Sequence, residues 1–92
     1  MAKYEFSKKY EFEGTEYESI EFDLEVLSGS DIEEIQRMFM AGGNYSPVPA
    51  ADSGFCAMVA ARASKKPIEF FKQMPAKDYL RLTQQVSNFL LG

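Results

Sequence analysis

Between Tyr4 and Phe12 the chain alternates strictly: Tyr4, Phe6, Lys8, Tyr10 and Phe12 hold the even positions and every odd position is polar. Successive side chains of a strand point to opposite faces, whereas a helix repeats its face about every 3.6 residues. The spacing therefore commits this segment to a half-buried strand. Glu13-Gly14-Thr15 follows as a turn, with Gly14 free to adopt positive φ. Alternation resumes at Ile20, Phe22, Leu24 and Val26, separated by Glu21, Asp23 and Glu25. Tyr17 is out of phase with that set, so a bulge or a shifted strand start is expected near Glu18-Ser19. Residues 1–27 thus read as an acidic β-hairpin.

The period changes after Leu27-Ser28-Gly29. Ser30 and Glu33 have capping-box spacing, which predicts a helix over 30–41 with Ile32, Ile35 and Phe39 on one face. Gly42-Gly43-Asn44 ends it, and Tyr45 to Ala50 reads as an extended connection. Asp52 or Ser53 opens a helix over 52–64 that is apolar almost all round, the pattern of a central or interface helix. Its core partners are expected to be Ile35, Phe39, Leu82, Val86 and Phe89, with Met58 facing them. Pro67 and Pro75 each suit a helix start, giving a short helix over 67–74 and a longer one over 75–91. The fold class is α+β, an N-terminal β-hairpin followed by about four helices, in a length that suits one domain, 1–92.

Charge is distributed unevenly. Residues 1–34 carry three basic and eleven acidic side chains, a net of −8, whereas residues 35–92 carry seven and three, a net of +4. The two ends can attract each other within one molecule or between copies, or both are simply solvated surface. An acidic chain is a poor ligand for phosphate backbones, so nucleic acid is not an expected partner. No apolar run approaches the roughly 20 residues of a membrane span, and no signal-peptide core is visible at the N-terminus. A single cysteine, Cys56, fits a reducing compartment and reads as a small buried hydrophobe.

The inventory points away from enzymatic chemistry. There is no histidine, one cysteine, and no glycine-rich loop opening a helix, so neither a metal, a cofactor nor a nucleophile pair is expected. The many glutamates alternate along strands, which places them in solvent. Arg62 is either a snorkelling side chain or one half of an ion pair, with Asp78 as the expected partner. Asp78 equally suits a local role, its charge meeting the positive end of its own helix. Met38, Met40, Tyr45 and Phe70 are the apolar residues least accounted for by the helix stripes. They are the candidate partner-binding surface, since methionine adapts to irregular partners. A wrap-around core is the competing explanation for the same residues.

The order of elements resembles the tail assembly chaperone family of tailed phages, in its small single-domain branch. The matching residues are Ala60-Ala61-Arg62, Pro67, Met74-Pro75, Asp78-Tyr79 and Phe89-Leu90, together with Gly14-Thr15-Glu16-Tyr17 and Gly29-Ser30-Asp31. Met74 stands where leucine is more usual. The resemblance implies a non-enzymatic factor that coats the tape measure protein, acts in the host bacterial cytoplasm and is absent from the mature virion. Its expected partners are the tape measure protein and further copies of itself, with no membrane and no nucleic acid. The alternative is a small adaptor or regulatory module of antitoxin or anti-repressor type that binds one folded partner.

Overall fold

A computed structural model describes residues 2–92. Two antiparallel strands, β1 (Ala2–Phe12) and β2 (Thr15–Phe22), form the hairpin. Four helices follow: α1 (Gly29–Ala41), α2 (Ser53–Ser64), α3 (Ile68–Lys72) and α4 (Ala76–Leu91). Short 3₁₀ turns at Leu24–Val26 and Pro49–Ala51 join them. The expected α+β order of a hairpin and then helices is the order observed.

The hairpin closes through a two-residue loop. Phe12 pairs with Thr15, and Glu13 and Gly14 between them both have positive φ, 49° and 82°. That is the backbone of a type I′ turn, whose twist matches the twist of paired strands. The strand irregularity lies opposite Glu18, as the phase of Tyr17 suggests, but the extra residues belong to β1. Glu5 pairs with Ser19 and Tyr10 with Tyr17, so Phe6 to Lys9 bulge against one residue of β2. The bulge keeps Phe6 and Tyr10 buried together while turning Ser7 toward α4. The second strand stops at Phe22, earlier than the alternation implies. Asp23 accepts the Glu25 N–H and starts a 3₁₀ turn, so Leu24 remains buried while Val26 is left 68% exposed.

Capping sets the start of α1 two residues before the expected Ser30. Ser28 accepts the Asp31 N–H at 3.3 Å and Asp31 accepts the Ser28 N–H at 2.9 Å, a reciprocal box that leaves Ser30 within the first turn. At the other end Gly42 caps the helix and Gly43 takes φ +88°. Asp52 caps α2 by accepting the Gly54 and Phe55 N–H groups. Lys65 closes the same helix in the left-handed region, at φ 61°.

The α2 helix is central, packing against α1, α3, α4 and β2. Phe55, Cys56, Ala57, Val59 and Ala60 are buried on it, which is why it lacks a polar face. Ile35, Phe39, Leu82 and Val86 are buried around it as expected, but Phe89 is 46% exposed. Phe89, in the last turn of α4, lines a shallow depression with Ala2 and the Asp23–Glu25 turn. Met58, expected in the core, is half-buried.

An aromatic cluster joins the hairpin to α3. The Phe70 ring lies edge-on to Tyr10, Phe12, Tyr17 and Phe71 at centroid distances of 5.2, 5.2, 5.0 and 5.3 Å. The Tyr10 hydroxyl donates to the Phe70 carbonyl at 2.7 Å. Such edge-to-face pairs stabilise by about 0.5–1.5 kcal/mol each beyond the area they bury.

Candidate functional site

The four residues singled out from the sequence do not form one surface. Phe70 is fully buried at the centre of the aromatic cluster, so it is a core residue and cannot meet a partner. For this side chain the wrap-around core is the correct explanation: the neighbouring Phe70 and Phe71 are both buried on one short helix wedged between sheet and α2. Met38, Met40 and Tyr45 are 55%, 59% and 83% exposed. Two positions along a helix is a rotation of about 200°, so Met38 and Met40 lie on opposite flanks of α1.

Each flank borders a depression. On one side Met40 and Tyr45 line a hollow of about 310 Å³ with Arg37, Ser46 and Pro49. On the other, Met38 lines an open groove of about 670 Å³. Ile35 and Phe39 from α1 form one wall of that groove, Met58 and Ala61 from α2 its floor, and Ile68 at the start of α3 the facing wall. Phe39 borders both depressions, making the second half of α1 a ridge between them. Sequence reasoning missed the groove because its floor comes from α2. A helix apolar all round gives no signal for which of its residues meet solvent.

Arg62 does not pair with Asp78. It reaches back across the groove wall to α1, where its guanidinium binds Asp31 at 3.3 Å and Glu34 as well. The reason is orientation, for Arg62 faces α1 whereas Asp78 faces β1. The pair is half-exposed and ties the start of α1 to the end of α2. The Ser28 amide and hydroxyl, joined by Arg62, hold the Asp31 carboxyl below its usual range.

Asp78 proves to be a structural anchor rather than a local helix-start residue. It is fully buried, and its carboxylate accepts the Tyr4 hydroxyl at 2.6 Å, the Ser7 N–H at 3.0 Å and the Ser7 hydroxyl at 3.1 Å. All three donors come from β1, so this one side chain fastens the hairpin to α4. Burial pushes its pKa up, but those hydrogen bonds outweigh it and leave the carboxyl below its ordinary value. The Tyr4 phenol is correspondingly pushed up to about 12, by burial first and by the carboxylate second.

Little in this arrangement offers chemistry. The Cys56 thiol is buried, and desolvation pushes its pKa up to about 11, which keeps it protonated. Among the described residues no group of His, Cys, Asp or Glu could hold a metal, and no helix is long and apolar enough to cross a membrane. What the surface does offer is exposed methionine and aromatic side chains beside apolar grooves, an arrangement suited to binding protein.

The family of phage tail assembly chaperone proteins, E, or 41 or 14, matches residues 3–91. Neither a curated protein nor a solved structure matches the chain.

Proposed function

This chain belongs to the phage tail assembly chaperone family, and we propose that it binds and shields the tape measure protein while the tail is assembled. The observation that carries this reading is the α1 ridge. Met38 and Met40 stand exposed on its two flanks, next to depressions of about 670 and 310 Å³. Large apolar side chains left in water beside concave apolar surface suit an amphipathic helix, which lays anchors three and four residues apart into a groove. Methionine tolerates anchors of differing shape, a property useful against a long client with many similar stripes.

Self-association belongs to the same proposal. One groove per small domain binds weakly, and several copies along one client gain avidity without new contacts. The role requires no catalysis and is exercised in the host cytoplasm, with the chaperone leaving before the virion is complete. Co-expression tests it. The tape measure protein should remain soluble and co-purify with several copies of this chain, and should aggregate without it. A tape measure protein that is equally soluble alone, and that this chain fails to retain, would sink the proposal.

A further inference from the structure

We infer that the groove between α1 and α3 selects client helices whose apolar stripe is flanked by carboxylates on the side facing α3. This rests on the client-binding reading above and names the chemistry of the segment bound. The apolar lining fixes only that the occupant is amphipathic. The charged side chains on the rim decide what flanks its stripe.

Four charged side chains line the groove: Asp52, Arg62, Lys66 and Lys72. Two of them are already answered. Arg62 is bound by Asp31 and Glu34, and the Asp52 carboxylate is taken by the N–H groups of Gly54 and Phe55. Among the described residues Lys66 meets only neutral groups, donating to the Tyr17 hydroxyl at 3.3 Å with its ammonium 4.8 Å from that ring's centroid and 5.7 Å from that of Phe70. Lys72 is exposed and makes no ion pair among the described residues. Among the described residues two ammonium groups are therefore left without a counter-charge, Lys72 at the end of α3 and Lys66 in the turn just before it.

A stripe flanked by lysine would meet like charge there, and one flanked by glutamate would complete two ion pairs at the rim of an apolar contact. The chain as a whole is acidic, with a net charge of −4. The selection is thus local, acting within the Debye length of about 8 Å at physiological salt, and it sets partner choice more than raw affinity.

The test uses the intact protein and two labelled helical peptides about 18 residues long, roughly 27 Å. Both carry leucine at i, i+3, i+4 and i+7, with glutamate flanks in one and lysine flanks in the other. Fluorescence anisotropy at low salt should show the glutamate peptide bound at least about fivefold more tightly. Lys72→Glu, on an exposed side chain, should shrink or reverse that preference without altering the melting curve. Equal binding of the two peptides, or a preference that Lys72→Glu leaves intact, overturns the inference while leaving client binding standing. Failure of both peptides to bind removes the client-binding reading itself. A self-associated protein that the peptide disperses would assign the groove to a second copy, and so would also overturn the inference.

Discussion

Replacing Asp78 tests the coupling between hairpin and helices. If the residue only met the positive end of its own helix, Asp78→Ala would cost about 0.3–1 kcal/mol. The structure instead gives it three hydrogen bonds to β1, from the Tyr4 hydroxyl and from the amide and hydroxyl of Ser7. Hydrogen bonds to a charged group contribute about 1.5–3 kcal/mol each. The losses do not simply add, because Ser7 is exposed and its donors turn to water, whereas Tyr4 is only 8% exposed and keeps an unpaired hydroxyl. The expected cost of Asp78→Ala is therefore about 3 kcal/mol. A chain of this length has a stability of about 5–14 kcal/mol. Asp78→Asn keeps an acceptor for Tyr4 and should cost roughly 1 kcal/mol. Urea unfolding followed by circular dichroism reads both, since a slope near 1 kcal/mol per molar turns Asp78→Ala into a midpoint shift of about 3 M. A cycle with Tyr4→Phe should show coupling of about 1–2 kcal/mol. A cost below about 1 kcal/mol for Asp78→Ala, with no coupling to Tyr4→Phe, would refute the anchor.

Three further outcomes are expected. Because the folded-state pKa of Tyr4 is raised from 10.0 to about 12, its contribution to stability is complete below pH 10 and is lost as pH rises toward 12. The difference in urea midpoint between the native protein and Tyr4→Phe should narrow across that window, and a constant difference would contradict it. Lys65→Gly should raise stability by about 0.5–1 kcal/mol, because glycine takes the left-handed cap without steric cost, and a lowered melting temperature would count against it. Phe70→Ala should cost about 3–5 kcal/mol while Met40→Ser stays within about 0.5 kcal/mol, and similar losses in the two would mean that core and surface have been confused.

How much of this was legible in the sequence depended on whether a residue's environment is set locally. The alternation of Tyr4, Phe6, Tyr10 and Phe12 and the breaks at Gly14, Gly42, Pro67 and Pro75 act within a few residues, and they placed the hairpin and helices in order. The start of α1 was misplaced because Ser28–Asp31 and Ser30–Glu33 have the same spacing, and only the three-dimensional path chooses between them. Long-range pairings were beyond reach. Asp78 binds Tyr4 and Ser7, more than seventy positions away, and Arg62 binds Asp31 and Glu34 rather than Asp78. Phe70 looks like a surface residue in the sequence for the same reason, as its burial depends on five rings from the hairpin and α3 converging on it. Met38, Met40 and Tyr45 are exposed, but the roughly half turn of helix between Met38 and Met40 divides them between two depressions.

The most direct measurement of client binding is retention of the tape measure protein by the triple variant Met38→Ser, Met40→Ser, Tyr45→Ser. These side chains are 55%, 59% and 83% exposed, so the variant should unfold at the same urea concentration as the native protein. Retention should nevertheless fall by at least about tenfold, because the anchors of the proposed interface are gone. A folded triple variant that holds the tape measure protein as well as the native chain would contradict the proposed binding surface.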